Sequence, residues 1–133
     1  MPTLTIHTNQ TLLPTIKSKL ADSLVAITSM YLGKLPALTN IVIHENCGSW
    51  YCNGQSTSEF QFSLNIIITE GTNNPRQKAQ WLKHSWQLFE EIFINLHNNP
   101  NYISIQEIPA TDWGYNGQSQ AARLQKQGEH NGV

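Results

Sequence analysis

The sequence predicts an α+β fold in which two fused βαβ units form a four-stranded mixed sheet with both helices on one face. Three observations lead to this prediction. The stretch WYCNGQS at residues 50–56 returns as WGYNGQS at residues 113–119, and PTIK at residues 14–17 lines up with PRQK at residues 75–78. Such internal similarity indicates a duplicated structural unit. Each half also reads as strand, helix, strand, an order that gives parallel strands joined by a right-handed crossover.

A chain of 133 residues is long enough for one domain with a substantial core. We expect a single domain over residues 1–124, built from pseudo-repeats at about residues 2–57 and 60–120. The residues after Gln118 are mostly polar and include Gly128 and Gly132. We therefore predict a loosely ordered end, with a flexible tail over residues 125–133.

The first unit shows the expected order of elements. Leu4 and Ile6 alternate with polar residues, which indicates a short strand. A helix follows, and Gly33 stands where a C-terminal cap glycine is expected. The apolar run at residues 41–43 indicates a buried strand. The apolar face of the helix comprises Leu13, Ile16, Leu20, Leu24, Ile27 and Tyr31.

The second unit repeats that order. Apolar residues alternate over residues 60–68, which is the strongest strand signal in the chain. Asn73 or Asn74 can cap a helix that has Pro75 in its first turn, and the segment at residues 98–100 ends it. Residues 103–105 mark the closing strand. The predicted inner face of this helix comprises Ala79, Leu82, Trp86, Phe89, Phe93 and Leu96.

Composition excludes several classes of function. Charged residues make up 13% of the chain and the net charge is −1, so no basic surface for nucleic acid is expected. No apolar run is long enough to span a membrane, and the N-terminus lacks the pattern of a signal peptide, so we expect a cytoplasmic protein. Cys47 and Cys52 suit a reducing compartment at least as well as one disulfide. Together with His44 they lack a fourth ligand, so no metal site is predicted.

The face of the sheet opposite the helices must meet water or another subunit. On the long strand this face reads Gln61, Ser63, Asn65 and Ile67, which is a mixed surface. Such a surface suits a hydrated subunit interface better than a dry core. We therefore expect the chain to self-associate.

The opening Met1-Pro2, the duplicated βαβ order, LGKLP at residues 32–36 and EIPATDWGYNG at residues 107–117 together resemble the tautomerase superfamily. Its members include 4-oxalocrotonate tautomerase, macrophage migration inhibitory factor and malonate semialdehyde decarboxylase. The resemblance extends to about Arg123. It implies a homotrimer that acts on a small keto or enol acid without a cofactor, and it places each repeated WxxNGQS in a hairpin after the second strand of its unit.

Pro2 is the candidate catalytic residue. Removal of Met1 would leave a secondary amine at the chain end, and burial lowers the pKa of an amine because its charged form loses hydration. A base that is neutral near pH 7 can take a proton from the carbon beside a carbonyl. The alternative is that Pro2 only begins an edge strand, which proline tolerates. The corresponding point of the second unit, near Ser63, lies inside the chain and has no free amine.

Arg76 is the second candidate catalytic residue. It falls in the first turn of the second helix, where the helix dipole disfavours a cation, so an anion is expected nearby. A guanidinium matches a carboxylate in bidentate fashion. The resemblance implies the same role, since relatives bind the substrate carboxylate with an arginine after the third strand. It also makes Lys34 a second anion contact. The alternative for Arg76 is an ordinary surface arginine.

Trp50, Tyr51, Trp113 and Tyr115 are candidate substrate-binding residues that could wall the pocket and desolvate the amine. Packing between subunits is the alternative for each of them.

Departures from the relatives narrow the expected chemistry. Dehalogenases of the superfamily have a glutamate where Tyr115 stands and a histidine where Thr28 stands, and the decarboxylase has an aspartate where Thr39 stands. We therefore expect a keto–enol tautomerase for 2-keto or enol carboxylic acids. The alternatives are a promiscuous decarboxylase or hydratase of the same superfamily, and a trimeric binding protein without turnover.

Overall fold

The computed structural model describes the backbone of residues 2–130 and the side chains of residues 2–126. Four strands form one mixed sheet in the order β2-β1-β5-β6. These strands are β1 (Thr3–Thr8), β2 (Asn40–His44), β5 (Phe62–Thr69) and β6 (Tyr102–Ile108). β1 pairs with β2 and β5 with β6 in parallel, and β1 pairs with β5 antiparallel. Each parallel pair belongs to one of the two predicted βαβ units, and the antiparallel pairing of β1 with β5 joins the two units into one sheet.

Two helices, α1 (Pro14–Leu32) and α2 (Pro75–Ile92), cover one face of the sheet. The residues of β1 and β5 on that face are buried, whereas their neighbours, apart from Thr69, are half-buried, because successive strand residues point to opposite faces. Gly33 ends α1 in the left-handed conformation with φ 67°, as predicted. Asn74 caps α2, because its side-chain oxygen accepts from the backbone N–H of Gln77. The side-chain oxygen of Gln77 in turn accepts from the backbone N–H of Asn74.

The apolar run at residues 41–43 is a strand, but it is not a buried one. β2 lies at the edge of the sheet, and Asn40, Val42 and His44 are exposed on the open face. An apolar run does not distinguish a central strand from an edge strand, because the difference depends on which strand pairs next to it.

The inner face of α2 agrees with the prediction only in part. Phe89 is buried and Leu82, Trp86 and Phe93 pack against the core, as predicted. Trp81, Ser85, Leu88 and Phe89 are the buried residues of α2, whereas Ala79 is exposed. The helix packs on α1 as well as on the sheet, and the Trp81 indole donates to Thr28 Oγ1 at 3.0 Å between the two helices. Trp81, Ser85 and Leu88 are the buried residues of α2 that the prediction missed.

Both copies of the repeated motif form hairpins. Hairpin 1 contains β3 (Tyr51–Cys52) and β4 (Gln55–Ser56), and hairpin 2 contains β7 (Gly114–Tyr115) and β8 (Gln118–Ser119). The Asn-Gly pair has positive φ at both residues in each turn, which matches the twist of paired strands. The structural expectation for the repeat is confirmed.

The predicted loosely ordered end is helical over most of its described length. α3 runs over Gln120–His130, and Ser119 Oγ accepts from the backbone N–H of Ala122 at 3.1 Å in its first turn. The segment has a low mean hydropathy, but the alanine, leucine, glutamine and lysine residues that dominate it are all good helix formers. Residues 131–133 of the predicted tail lie outside the described residues.

The pseudo-symmetry gives the sheet two comparable ends. The Pro2 end, as we name it, contains the first residues of β1 and β2 and the last residues of β5 and β6. The opposite end contains their other termini. Each end has one ion pair between the first turns of a helix and the end of a strand, namely Lys17–Glu45 at the opposite end and Lys78–Glu107 at the Pro2 end.

No helix in the described part of the chain is long and apolar enough to cross a membrane.

Candidate active site

Pro2 lies at the beginning of β1 and is buried. By strand alternation it belongs to the same face as Leu4, the face that the helices cover. Its carbonyl oxygen accepts from the backbone N–H of Asn40 at 3.3 Å. Thr3 pairs with Ile67 on β5, so Pro2 lies at the end of the sheet where Ile68 pairs with Glu107.

A cavity of about 350 Å³ opens at the Pro2 end. The chain neighbour of Pro2, Thr3, and its hydrogen-bond partner, Asn40, both line it, although Pro2 itself does not. Hairpin 2 crosses the end of the sheet and supplies the other wall. The full lining is Thr3, Ala37, Leu38, Asn40, Trp113, Gly114, Tyr115 and Asn116.

Lys34 follows the cap of α1 and is brought to the same end. Its ammonium donates to Thr72 Oγ1 at 2.9 Å, and that hydroxyl in turn donates to the carbonyl of Thr69 at 2.7 Å. Burial lowers the pKa of Lys34, and the negative charge of Glu107 partly opposes that shift. Lys34 is therefore a partly desolvated cation held by a neutral oxygen.

Glu107 and Lys78 are site residues that the sequence analysis missed. Glu107 lies on the helix-covered face, where it pairs with Lys78 from the second turn of α2. This end carries four cations, Lys34, Arg76, Lys78 and Arg123, and three carboxylates, Glu70, Glu107 and Asp112, so the net charge of these side chains is +1. Lys34 and Arg76 make no ion pair among the described residues and favour an anionic ligand locally. The repeated spacing of Lys17 before Glu45 could have indicated the Lys78–Glu107 pair.

Arg76 is the second residue of α2 and is exposed at the Pro2 end. Among the described residues it makes no ion pair. It does not line the cavity, and neither does Lys34. The structure thus brings Arg76 to the same end of the sheet as Pro2 and Lys34, but not into the lining of the cavity.

The two aromatic residues of hairpin 2 are held by different partners. The Trp113 indole donates to Thr69 Oγ1 at 3.1 Å, which fastens the hairpin to the end of β5. Arg123 from α3 contacts Tyr115: its Nη2 donates to the Tyr115 carbonyl at 3.0 Å, and its Cζ lies 3.7 Å from the ring centroid. Arg123 is a further residue near the cavity that the sequence analysis missed.

Trp50 and Tyr51 lie at the opposite end of the sheet in hairpin 1. The Trp50 indole bonds locally, to the carbonyl of Cys47 at 2.6 Å, and the Tyr51 side chain is 65% exposed. Parallel pairing of β1 and β2 sends hairpin 1 away from Pro2. Within one chain, therefore, these two aromatic residues do not reach the cavity.

The opposite end also lacks the other features of the Pro2 end. Phe62 begins β5 where Pro2 begins β1, and it is buried in a stack with Phe89 at 3.8 Å between ring centroids. Asn95 has a positive φ, as Gly33 has, and the next residue is the buried Leu96, where the first unit has Lys34. Apolar side chains thus fill the space that corresponds to the candidate site.

No group of three or more possible metal ligands occurs among the described residues.

Comparison with known proteins supplies structures but no sequence relatives. No family model matches the chain, and no curated protein matches it. Among solved structures, Pt0534 inactivated by 2-oxo-3-pentynoate is similar with a TM-score of 0.79 and 19% identity, over 91% of this chain and 98% of that one.

Two further structures extend that comparison. A wild-type fused 4-oxalocrotonate tautomerase (4-OT), described as an asymmetric trimer, has a TM-score of 0.76 and 22% identity over 91% of this chain and 98% of its own. A macrophage migration inhibitory factor-like protein from Entamoeba histolytica has a TM-score of 0.71 and 17% identity over 89% and 97%. With two βαβ units in one sheet and near-complete overlap with these structures, the chain shares the fold of the fused 4-OT and macrophage migration inhibitory factor-like structures.

Proposed function

We propose that this protein is a keto–enol tautomerase for 2-keto or enol carboxylic acids, with Pro2 as general base and acid. The observation that supports this best is that a buried Pro2 lies at the same end of the sheet as Lys34 and Arg76, two cations without an ion pair among the described residues. An anionic substrate is attracted to this end, and a base at Pro2 meets it there.

Removal of Met1 converts the Pro2 nitrogen from an amide into a secondary amine. The neutral amine takes a proton from the carbon beside the ketone and returns it to the enol oxygen or to another carbon. One amine is sufficient, since the same nitrogen accepts and donates the proton. Lys34 and Arg76 bind the carboxylate and stabilise the negative charge that develops on the enolate.

We further propose that the active assembly is a homotrimer. Trp50 and Tyr51 belong to hairpin 1 at the opposite end of their own chain, so they can wall a site only in a neighbouring copy. The trimers described for the fused 4-OT structures support this arrangement. Trp113 and Tyr115 wall the site from within the chain, where they line the cavity.

Two measurements test the role of Pro2. The first follows the decay of enol absorbance with phenylenolpyruvate. The second uses 2-oxo-3-pentynoate, the inactivator of the similar Pt0534 structure. A neutral amine adds to the alkyne carbon remote from the ketone, forming an N–C bond, while the carbon beside the ketone takes up a proton. We expect activity, loss of activity on labelling, and a mass gain of one inactivator on the N-terminal peptide.

The matched control is a variant with a short extension before Pro2, which keeps the nitrogen in an amide bond. We expect it to fold and assemble normally while losing most activity and all labelling of Pro2. Turnover by the extended variant at the rate of the processed protein would show that Pro2 is not the base. A processed protein that binds keto acids without turnover would instead identify a binding protein.

A further inference from the structure

Hairpin 2 has a contact that the repeated motif does not predict. Arg123 lies in the first turns of α3, four residues after hairpin 2 ends, and folds back over Tyr115. One guanidinium nitrogen, Nη2, donates to the Tyr115 carbonyl at 3.0 Å, and Cζ stands 3.7 Å from the ring centroid. The guanidinium thus holds the backbone and the ring of the same residue at once.

The position of Arg123 is unfavourable for one of its hydrogen-bond donors. Nε of Arg123 is buried and has no hydrogen-bond partner among the described residues. A buried donor of a charged group without a partner is unfavourable. The contacts of Arg123 with the carbonyl and ring of Tyr115 are the interactions that oppose this unfavourable term.

Hairpin 1 provides an internal comparison. The two hairpins share the same turn residues, but hairpin 1 has Cys52 at the position of Tyr115. Its tryptophan also bonds locally to Cys47, whereas Trp113 bonds to Thr69 on β5. The tryptophan of hairpin 2 is thus bonded directly to a strand of the sheet, whereas that of hairpin 1 is bonded within its own loop.

We infer that Arg123 is a positioning residue that fixes Tyr115 as the wall of the cavity and thereby sets the preference for a planar group on the substrate. Tyr115 lines the cavity. Because the guanidinium covers one face of its ring, the surface left to the cavity is the other face and the ring edge. A fixed aromatic surface of this kind favours substrates that carry an unsaturated or aryl group beside the keto acid.

The part of this inference that concerns substrates rests on the proposed function, whereas the positioning itself does not. Hydrogen exchange tests the positioning without any assay of activity. Arg123→Met keeps most of the side-chain length and removes both contacts, so amides of residues 113–119 should exchange about tenfold faster, as expected for loss of a cation–π contact and a charge-assisted hydrogen bond. Amides of residues 50–56 in the matched hairpin should not change.

Two variants complete the exchange experiment. Arg123→Lys keeps the charge but cannot stack and bond the carbonyl with one planar group, so its exchange should be intermediate. Lys126→Met removes an exposed cation of the same helix and should leave both hairpins unchanged. Unchanged exchange in Arg123→Met, or equal acceleration in both hairpins, would overturn the positioning role.

Kinetics with two enol acids test the preference. For Arg123→Met, KM for phenylenolpyruvate should rise several-fold with a smaller change in kcat, while KM for a short aliphatic enol acid should stay the same. A KM that rises equally for both acids would overturn the specificity role. If the protein has no tautomerase activity, the proposed function fails, and the exchange result still decides whether Arg123 fixes hairpin 2.

Discussion

Lys34 combines two properties that a substrate-binding cation needs, a fixed position and incomplete hydration. Its hydrogen bond to Thr72 fixes the ammonium, and burial removes part of its water shell. A partly desolvated cation attracts a carboxylate more strongly than an exposed one because less water must be displaced. The same burial lowers the pKa of Lys34 below its ordinary value of 10.5.

The lowered pKa of Lys34 predicts an alkaline loss of substrate affinity. As pH rises through that pKa the ammonium loses its charge, so KM for carboxylate substrates should rise at a lower pH than an exposed lysine would cause. Glu107→Gln should move the rise to still lower pH, because the charge that opposes the shift is removed. Inhibition by an unreactive keto acid, measured across pH, checks both statements.

An arginine at position 34 provides the control for the predicted alkaline rise in KM. Lys34→Arg stays charged at every accessible pH, so its alkaline rise in KM should be absent. Lys19→Arg changes an exposed lysine on α1 and should behave like the parent protein. An alkaline limb that persists in Lys34→Arg would show that another group titrates there.

Arg76 has a separate prediction. Replacement by alanine should weaken binding of carboxylate substrates by about 2 kcal/mol, the size of a charge-assisted hydrogen bond, with little effect on an uncharged ester. The measurement is kcat/KM on acid and ester, with Lys83→Ala, an exposed cation in the middle of α2, as control. Equal losses on the acid and the ester would mean that Arg76 does not bind the carboxylate.

At the scale of elements, the sequence predicts what periodicity encodes and misses what depends on distant partners. β1 and α1 follow from alternation and from a helical apolar face, and the two hairpins follow from the repeated motif and the resemblance to a known family. The burial of Trp81 could not be predicted from the pattern of α2, since its indole meets Thr28 of α1, far away in the chain. The Arg123–Tyr115 contact was missed for the same reason, because no spacing rule joins a helix residue to the preceding hairpin.

The contact between α1 and α2 supplies an element-scale prediction. Thr28→Val removes the hydrogen-bond acceptor of the buried Trp81 indole with little change in side-chain size, so the free energy of unfolding should fall by about 1–3 kcal/mol. In a Trp81→Phe background the same substitution should cost much less, because no indole N–H is left unpaired. Urea unfolding of the four proteins forms a double-mutant cycle.

Thr39→Val is the control for that cycle. Its hydroxyl is exposed and bonds locally to the carbonyl of Leu35. The expected change is within about 0.5 kcal/mol. Equal costs of Thr28→Val in both backgrounds would show that the indole hydrogen bond does not join the helices.

At the scale of the whole molecule, the open face of the sheet has the composition of an interface between copies. Its strand residues include no Asp, Glu, Lys or Arg within the described chain, and Val42 and Tyr102 are exposed on it. The face comprises Thr3, Thr5, His7, Asn40, Val42, His44, Ser63, Asn65, Ile67, Tyr102, Ser104, Gln106 and Ile108. An uncharged face with exposed apolar residues favours self-association.

We expect a trimer of about three times 15.0 kDa in light scattering at micromolar concentration. Thr5→Arg places a charge at the centre of the open face and should shift the protein toward monomer, because a buried unpaired charge is costly. Gln87→Arg adds the same charge on an exposed helix position and should leave the trimer intact. A monomeric parent protein would remove the proposed contribution of Trp50 and Tyr51 to a neighbouring site.

The buried Phe62 stack has a consequence for stoichiometry. A duplicated fold offers two comparable ends per chain, and six per trimer, yet Phe62 and Leu96 occupy one end of each chain with apolar side chains. A titration with a covalent keto-acid inactivator should therefore reach its end point at one equivalent per chain. Activity should be lost completely at that ratio, and excess reagent should add no second equivalent. Uptake of two equivalents per chain would show instead that both ends of the sheet contain a reactive site.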